Sequence, residues 1–514
     1  MHITTFVFRG IDVVEVEVQV QLTGGVPNLL IVGLPDKAVG ESRERVRAAI
    51  HALGLSLPPK RVTINLAPAD VLKEGSHYDL PIALALLCAL EVIPLAAVAR
   101  YSALGELSLD GTIRPVGGVL PAAVDAAGRG LGLICPEACG SEAAWAIRHQ
   151  EARKDSHNAP FNDPLAINIL AAPSLGAVID HFAGKALLLP PAQKIETDHV
   201  TGTDLKDMRG QEAAKRVLEI AAAGGHHMLM RGPPGAGKSL LAMRLPGLLP
   251  PLSPDVALKV SMIHSVARTL PEGAILRHRP FRAPHHNASL PSLVGGGTRA
   301  GPGEISLAHG GVLFLDELPE FSRAALDGLR QSMETGETVV SRANAHVTYP
   351  SRYQLVAAMN PCRCGYFGEP QGMCSRAPGC AETYQARISG PIMDRIDLFI
   401  NMSAVRPDVL AQTGNDHESS ATVRARVIAA RQVQQARYAD SSACNAHVAG
   451  EGLEADLSDE ARSLLTKAVE SFHLSARGYY RAIKVARTIA DLAGQQGIDH
   501  QAIGEALAYR WHRP

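Results

Sequence analysis

The fold of this chain is decided by the stretch GPPGAGKS at residues 232–239. Its members are Gly232, Pro233, Pro234, Gly235, Ala236, Gly237, Lys238 and Ser239. They match a P-loop, in which glycines turn backbone N–H groups toward phosphate oxygens at the start of a helix. We expect Lys238 to neutralise β- and γ-phosphate charge and Ser239 to ligate Mg²⁺. A glycine-rich turn capping a helix is the alternative.

A second element, GVLFLDEL at residues 311–318, is an apolar strand that ends in two adjacent acids. Asp316 has the position of a Mg²⁺ ligand, and Glu317 that of the base that activates water. An ordinary strand followed by an aspartate that caps a helix would look similar. The order and the spacing favour the nucleotide site.

A third element is the apolar strand YQLVAAM at residues 353–359, which is followed by Asn360. An uncharged amide at this point can orient the attacking water beside the γ-phosphate. All three elements occur in order within about 130 residues. Together they predict an enzyme that binds ATP and Mg²⁺ and hydrolyses the nucleotide.

Composition limits the number of domains, the kind of DNA contact and the location that the chain can have. The chain has 514 residues, 46% of them hydrophobic, which predicts two to four domains. Lysine and arginine number 50 against 51 acidic residues, so DNA binding would require a local basic surface. No apolar run of about 18 residues occurs, and residues 1–20 alternate like strands, so no membrane segment or signal peptide is expected. These features predict a cytoplasmic protein.

The order of patterns along the chain predicts an α/β multidomain protein. Residues 1–182 mix strand-like and helical runs, and a polar, proline-containing linker is expected at 183–205. Residues 206–405 form the nucleotide-binding α/β core. Helical patterns fill the last part of residues 406–514, which predicts a C-terminal helical domain.

Long motifs beyond the P-loop resemble those of the AAA+ ATPases, specifically the magnesium-chelatase-like YifB/ComM family. They are FRAPHHNASLPSLVGGG from residue 281, PGEISLAHGGVLFLDELPEF from 302, LVAAMNPCRCGYFG from 355, RISGPIMDRIDL from 387 and SARGYYRAIKVARTIADL from 475. The resemblance covers nearly the whole chain. It implies a ring, usually a hexamer, with nucleotide at the subunit interfaces and a C-terminal helical lid.

The resemblance also implies roles for arginines. Arg395 matches the arginine finger that a neighbouring subunit supplies to the γ-phosphate, with Arg387 as the weaker choice. Arg477 matches the sensor-2 arginine, which reports on phosphate in its own subunit, and Arg481 is the fallback. A surface arginine paired with a carboxylate is the alternative for each.

Two segments of the core are expected to contact DNA. Residues 277–301 resemble the helix-2 insert of one AAA+ branch, and residues 338–349 resemble its pre-sensor-1 hairpin. The DNA-binding residues expected there are Arg282, Arg299, Arg342, Asn344 and His346. Cations and amides on loops in a central channel suit contact with a phosphate backbone. Structural insertions that contact the adjacent subunit are the alternative. Adjacent His285 and His286, without nearby acids or cysteines, are poor evidence for a metal.

Four cysteines fall within nineteen residues directly after Asn360, namely Cys362, Cys364, Cys374 and Cys380. Four thiolates on a short glycine-rich loop match the ligand set of a structural Zn²⁺ ion. Reduced cysteines in a loop are the alternative.

The first domain resembles the proteolytic domain of Lon-type proteases, a fold like domain 2 of ribosomal protein S5. The matching stretches are VGLPDKAVGESRERVRAAIHALG from residue 32 and KEGSHYDLPIALALL from residue 73. The family's catalytic serine falls at His77, next to Ser76, and GGVLPAAVDAAG from residue 117 lacks the catalytic lysine. We expect a non-proteolytic domain that assists ring assembly or engages partners or DNA. Lys37 or Lys73 could replace the missing base.

The expected function is therefore an ATP-driven hexameric motor that moves on DNA. The family resemblance implies helicase and branch-migration activity in homologous recombination during natural transformation, with recombination proteins as further partners. A magnesium-chelatase ATPase subunit that remodels a protein partner is the first alternative. An ATP-dependent protease is the second.

Overall fold

The computed structural model describes residues 2–147, 168–194, 203–297, 300–342, 345–368, 374–405, 417–440 and 443–510. Within them the chain forms two large sheets, each with its own apolar core, followed by a group of helices. The mixed α/β multidomain architecture expected from the sequence is confirmed. The division of the chain at residues 182, 205 and 405 stays a prediction.

The first sheet has seven strands in the order β3-β4-β2-β1-β5-β8-β9. The strands are β1 His2–Arg9, β2 Asp12–Thr23, β3 Asn28–Val32, β4 Arg61–Ala67, β5 Tyr101–Ala103, β8 Gly132–Pro136 and β9 Ile169–Ala172, and β6 Glu106–Leu107 pairs separately with β7 Ile113–Arg114. Buried residues alternate along β4 because one of its faces packs on the core. The helix Asp79–Ala89 is buried on all sides and lies in this core.

The second sheet has five parallel strands in the order β11-β14-β17-β10-β18. They are β10 Met228–Arg231, β11 Phe281–Arg282, β14 Val312–Leu315, β17 Gln354–Met359 and β18 Leu398–Asn401, and two hairpins pair β12 Gly295–Gly296 with β13 Gly301–Pro302 and β15 Glu337–Arg342 with β16 Ala345–Pro350. The central strands are continuous apolar runs, which is typical of a parallel sheet covered on both faces. All five strands end at one edge, where ligands bind in such sheets.

Helices cover both sheets and follow them. The α-helices of the first part are Lys37–Ala52, Asp79–Ala89, Leu95–Val98, Val119–Gly128, Gly140–Ala143 and Leu175–Phe182. Those around the second sheet are Glu212–Gly224, Lys238–Ala242, Leu245–Leu248, Pro254–Val266, Leu290–Val294, Glu304–Leu307, Arg323–Thr335, Gly379–Gln385 and Gly390–Met393. The C-terminal ones are Ser420–Tyr438, Asp459–Phe472, Ala476–Leu492 and His500–Ala508.

One C-terminal helix, Ala476–Leu492, packs at the start of the parallel strands, at the edge opposite the P-loop. His226 lies two residues before β10, and its Nε2 atom lies 2.8 Å from Oγ1 of Thr488. Asp397 directly precedes β18, and its Oδ1 atom lies 3.1 Å from a guanidinium nitrogen of Arg481. Both partners belong to the helix Ala476–Leu492. That helix therefore lies along the amino-terminal edge of the sheet.

The two sheets are joined through the helix Pro254–Val266. Gly118 N–H donates to the Ser265 carbonyl at 3.1 Å, and Leu120 N–H donates to Ser265 Oγ at 3.3 Å. A Cβ atom at Gly117 would lie 2.9 Å from the Val266 carbonyl oxygen, so this approach requires glycine. The first domain is thus attached by a close backbone contact.

Across the described residues, no helix is both long enough and apolar enough to cross a membrane.

Candidate nucleotide site

The P-loop follows β10 at the carboxyl edge of the parallel sheet. Gly235 and Gly237 have φ values of +79° and +87°, which glycine adopts without strain. A Cβ atom at Gly232 would lie 2.3 Å from the carbonyl oxygen of Met402, so the loop can pack here only with glycine. The helix that follows begins at Lys238, with its amino terminus toward the loop.

Lys238 is buried inside this loop. Its Nζ atom donates to the carbonyl oxygens of Gly232 at 2.7 Å and Pro233 at 2.9 Å. It also donates to Oδ1 of Asn360 at 3.1 Å. Burial lowers the pKa of the ammonium group, and the charges of Asp316 and Glu317 oppose that shift. The lysine and the asparagine, which were predicted from separate motifs, therefore lie in contact.

Ser239 and Asp316 form the second contact between motifs. The Ser239 hydroxyl donates to Oδ2 of Asp316 at 2.8 Å, and Glu317 N–H donates to Oδ1 of the same carboxylate at 2.9 Å. A hydroxyl and a carboxylate at this spacing are the oxygen ligands with which P-loop enzymes hold Mg²⁺. These two residues fit the ion.

Glu317 carries a backbone conformation that is unusual for glutamate. Its φ is +52° and its ψ is +48°, in the left-handed region, where a residue other than glycine is strained. The side chain is 45% exposed. A partly exposed carboxylate directly after the Mg²⁺ ligand is positioned to accept a proton from water.

His286 was missed as a residue of this site. Its Nδ1 atom lies 3.3 Å from Oε2 of Glu317. His286 follows β11, and β11 is parallel to β14, so both strands deliver their next residues to one edge. The available signal was a histidine pair shortly after a strand-like Phe281-Arg282. We considered that pair only as a metal ligand.

Arg395 lies at the other edge of the sheet. It lies three residues before β18, whereas the P-loop follows β10, and the two strands are parallel. The strands span four residues, which separates the two edges by roughly 10 Å or more. Arg395 is 4% exposed, pairs with Glu334 and donates to the Pro391 carbonyl. The role of Arg395 as an arginine finger stays a prediction.

Arg477 is exposed in the first turn of the helix Ala476–Leu492. Burial lowers the pKa of Arg395, and the charge of Arg477 lowers it further, which places the two guanidinium groups near each other. Arg481, one turn later, pairs with Asp397 at 3.1 Å. The resemblance implies that Arg477 senses phosphate in its own subunit. The structure places Arg477 near Arg395, and its role as a phosphate sensor stays a prediction.

Arg387 forms the kind of pair expected of an ordinary surface arginine. One of its guanidinium nitrogens lies 2.8 Å from Oε2 of Glu320. Among the residues expected to bind DNA, Arg282 is likewise held by two contacts to Glu304, at 2.6 and 2.7 Å. Their charges are satisfied within the chain.

The β15–β16 hairpin forms as the sequence predicts, with His346 exposed and its Nδ1 atom 3.0 Å from Oγ of Ser341. The side chain of Arg342 lies outside the described part of the structure, as do Arg299 and Asn344. Contacts of these residues with DNA stay predictions.

The four cysteine sulphurs come together. The Sγ atoms of Cys362, Cys364, Cys374 and Cys380 all lie within 4.8 Å of one another. Zn–S bonds of about 2.3 Å place tetrahedral sulphurs roughly 3.8 Å apart, so the four fit one Zn²⁺ ion. A Cβ atom at Gly365 would lie 2.7 Å from Cδ of Pro234, so the cysteine loop packs on the P-loop.

The positions expected to correspond to the Lon-type catalytic residues hold no serine–lysine pair among the described residues. Ser76 donates to Glu106, and the buried Lys73 ammonium group donates to the Pro68 carbonyl. Nε2 of His77 lies 2.8 Å from the Phe6 carbonyl oxygen. Each of these side chains has a structural partner, and the absence of peptidase activity stays a prediction.

Three family models match the chain in succession. They are described as subunit ChlI of Mg-chelatase at residues 16–138, magnesium chelatase subunit ChlI at 204–410 and the ChlI C-terminal region at 417–510. Together with the site above, these matches define a magnesium-chelatase-like AAA+ protein. Because a model named for ChlI matches residues 16–138, that segment alone does not separate the chain from chelatase subunits.

Relatives that match over nearly their full length identify the family of this chain more closely. The chain is 42% identical to YifB of Salmonella typhimurium over 505 residues, covering 98% of this chain and 95% of that protein. It is 41% identical to competence protein ComM of Haemophilus influenzae over 509 residues, with the same coverage. The 38 kDa subunit of Rhodobacter capsulatus magnesium chelatase matches only 30% of the chain, at 30% identity and over 48% of its own length. The chain belongs to the YifB/ComM family.

Proposed function

We propose that this protein is an ATP-driven ring motor that moves on DNA and promotes branch migration during recombination of incoming DNA. The proposal rests mainly on one observation: the residues expected to hydrolyse ATP are divided between the two edges of the parallel sheet. Lys238, Ser239 and Asp316 lie at the carboxyl edge, whereas Arg395 and Arg477 lie at the amino edge. A complete site then requires two subunits.

In the proposed reaction, the P-loop N–H groups and Lys238 hold the β- and γ-phosphates. Ser239 and Asp316 would hold Mg²⁺, which would neutralise charge on the phosphates. Asn360 orients a water, and Glu317 takes its proton as the water oxygen attacks the γ-phosphorus. The bond to the bridging oxygen breaks, and ADP and phosphate leave.

The neighbouring subunit supplies the missing positive charge. Arg395 and, beside it, Arg477 approach the γ-phosphate from the adjacent protomer. To reach the phosphate, Arg395 first has to leave its ion pair with Glu334. This exchange makes hydrolysis dependent on ring assembly, and the family's usual hexamer suits such a head-to-tail ring.

Two features support DNA as the polymer along which the motor moves. The β15–β16 hairpin carries the exposed His346 next to Arg342 and Asn344 of the sequence, and cations and amides suit contact with a phosphate backbone. The Haemophilus relative is named a competence protein, and it matches 98% of this chain. We extend that role to this protein, with DNA-recombination proteins as partners.

We further propose that Cys362, Cys364, Cys374 and Cys380 hold a structural Zn²⁺ ion. The proximity of their sulphurs supports this ligand set. The ion would fold the loop that packs on Pro234 and thereby support the nucleotide loop.

The experiment that tests the function compares purified protein on three DNAs of equal length: a linear duplex, a forked duplex and a four-way junction. We expect ATPase activity to rise with DNA and labelled junctions to be converted to products only when ATP is hydrolysed. Glu317→Gln serves as the control, because it should bind ATP and DNA without moving strands. Protein that shows neither stimulation nor strand movement would contradict the proposal.

The chelatase matches support one rival function, the remodelling of a protein partner by a magnesium-chelatase-type ATPase subunit. Under that alternative, ATP hydrolysis would be independent of DNA, and a protein partner would stimulate it. The same assay therefore separates the two functions.

A further inference from the structure

A cavity of about 640 Å³ lies at the edge of the parallel sheet opposite the P-loop. Its walls include the turns that precede β14 and β17, the helix Pro254–Val266 and the helix Ser420–Tyr438. The volume falls in the range of roughly 300–1,000 Å³ typical of small-molecule sites. The cavity is separate from the nucleotide site.

The charge of this cavity is strongly unbalanced. Four cationic side chains line it, those of Lys259, Arg279, Arg352 and Arg431, and Glu337 is the single acidic residue of the described lining. Within the described ranges, none of the four cations forms an ion pair with a carboxylate. Next to Arg431, burial raises the pKa of the Cys444 thiol, but the charges of His447 and Arg431 outweigh burial and lower this pKa to about 5. Such a concave cationic surface attracts anions.

Backbone carbonyls hold two of the guanidinium groups in place. Arg279 donates to the carbonyl oxygens of Pro250 and Gly310, each at 2.7 Å. Arg431 donates twice to the Ala222 carbonyl, at 2.8 and 3.1 Å. Carbonyl contacts orient a guanidinium group without neutralising its charge. The site is therefore preorganised for a ligand that supplies negative charge.

His309 adds a neutral donor to the cavity. Its Nδ1 atom accepts a hydrogen bond from Arg352 N–H at 3.1 Å, so the proton of the neutral ring lies on Nε2. Burial lowers the pKa of this imidazole to about 4, and the charges of Lys259 and Arg352 act in the same direction. The ring therefore offers an N–H donor at neutral pH without adding charge.

We propose that this cavity binds a small molecule carrying two or more phosphate groups, at a site distinct from the ATP site. Four cations around one cavity exceed what a single monoanion neutralises. The core forms one wall of the cavity, and the helix Ser420–Tyr438 forms the other.

Binding would join the helical domain to the core. Arg431 belongs to the helix Ser420–Tyr438, whereas Lys259 and Arg352 belong to the core. An anion that contacts all three bridges the two parts and stabilises the folded protein against heat. The root of the β15–β16 hairpin also lines the cavity, through Glu337 and Pro350. Occupancy is therefore expected to order the hairpin root as well.

The test uses full-length Lys238→Ala protein, in which the P-loop no longer holds phosphate tightly. Titration calorimetry with inorganic pyrophosphate, in buffer without Mg²⁺, is expected to show one saturable site per chain. Lys259→Gln and Arg352→Gln, each added to that background, should weaken binding about tenfold by removing one charge-assisted contact. Both side chains are exposed and have no structural hydrogen bond from their charged groups in the described residues, so folding should survive.

Arg323→Gln is the matched control, since Arg323 is an 88% exposed arginine on another helix and should leave pyrophosphate affinity unchanged. ADP is titrated in parallel: tighter binding than pyrophosphate identifies a nucleotide as ligand, and equal binding identifies the phosphates alone. The proposal is overturned if pyrophosphate does not bind, or if the Lys259 and Arg352 variants bind it like the parent. Binding of a single-stranded oligonucleotide without any pyrophosphate binding would also overturn it.

Discussion

Nδ1 of His286 lies 3.3 Å from Oε2 of Glu317, which links the proposed catalytic base to the residues that follow strand β11. His286 itself belongs to the insert at residues 277–301, which we expect to contact DNA. A contact between this segment and the base offers a direct route from the insert to the chemistry. We infer that the histidine positions the Glu317 carboxylate.

For His286 we expect replacement by alanine to change basal and DNA-stimulated ATPase activity unequally. His286→Ala frees the carboxylate, so basal hydrolysis should rise or stay level while the stimulation by DNA falls. His286→Asn retains a hydrogen-bond donor and should keep most of the stimulation. Steady-state ATPase assays with and without forked DNA measure both. Equal stimulation in the three proteins would show that the contact has no part in coupling.

Glu317→Gln should remove the base and keep the ATP site. General-base catalysis contributes roughly 10²–10⁴-fold, so we expect a loss of that order in kcat with little change in nucleotide affinity. Phosphate release and fluorescent-nucleotide binding provide the two measurements. Glu460→Gln, at an 80% exposed carboxylate, is the control and should behave like the parent. Normal hydrolysis by Glu317→Gln would show that another group is the base.

Mixing two inactive variants tests whether Arg395 acts on a neighbour. Arg395→Ala subunits keep an intact carboxyl-edge site, and Glu317→Gln subunits keep the arginine. A mixed ring therefore contains interfaces with both parts, and ATPase activity should reappear on mixing. Arg387→Ala is the control, since Arg387 pairs with Glu320 and should retain activity. Activity of the mixture equal to the mean of the two parents would argue against a shared site, once thermal melts confirm folding.

Zinc content provides the fourth test. Metal analysis of protein purified without chelators should find about one Zn²⁺ per chain. Cys374→Ser with Cys380→Ser should lose the metal and melt at a lower temperature, and chelation should reproduce the effect on the unaltered protein. Cys88→Ala changes a buried cysteine of the first domain and should keep the metal. Equal metal content in all three proteins would contradict the site.

Glu142 predicts a pH dependence of stability. This buried carboxyl lies near Ser265 at the junction of the two sheets, and burial raises its pKa to about 7. The native state therefore holds a proton that the unfolded state releases at its ordinary, lower pKa. The associated stability is present below that lower pKa, and it is lost as pH rises to about 7. Glu142→Gln should remove this trend and stabilise the protein at pH 8 by about 3 kcal/mol, at 1.36 kcal/mol per pKa unit. Denaturant unfolding at pH 5 and pH 8 measures it.

The nucleotide site was predictable because its signals are local. The P-loop, the acidic pair and Asn360 each follow an apolar strand, and parallel strands bring their ends to one edge. The contacts Lys238–Asn360 and Ser239–Asp316 are consequences of that rule.

The remaining features of the site and fold depend on long-range packing, which no local sequence pattern predicts. His286 reaches Glu317 only because β11 pairs with β14, and two-residue β11 is too short to identify from periodicity. The side of the sheet on which Arg477 lies depends on where the C-terminal helices dock. Buried contacts such as Thr488 with His226 set that docking, and they join residues 262 positions apart. The burial of Glu142 likewise arises from contact between two domains.

The close backbone contact of Gly117 and Gly118 with the end of the helix Pro254–Val266 has a consequence for symmetry. A domain held in this way keeps one orientation relative to its own core. In a ring, the amino-terminal domains would then form a second tier with the rotational symmetry of the motor. A symmetric partner could engage several of these domains at once, and its affinity would rise steeply with the number of subunits assembled. Tight binding of such a partner would therefore depend on a closed ring.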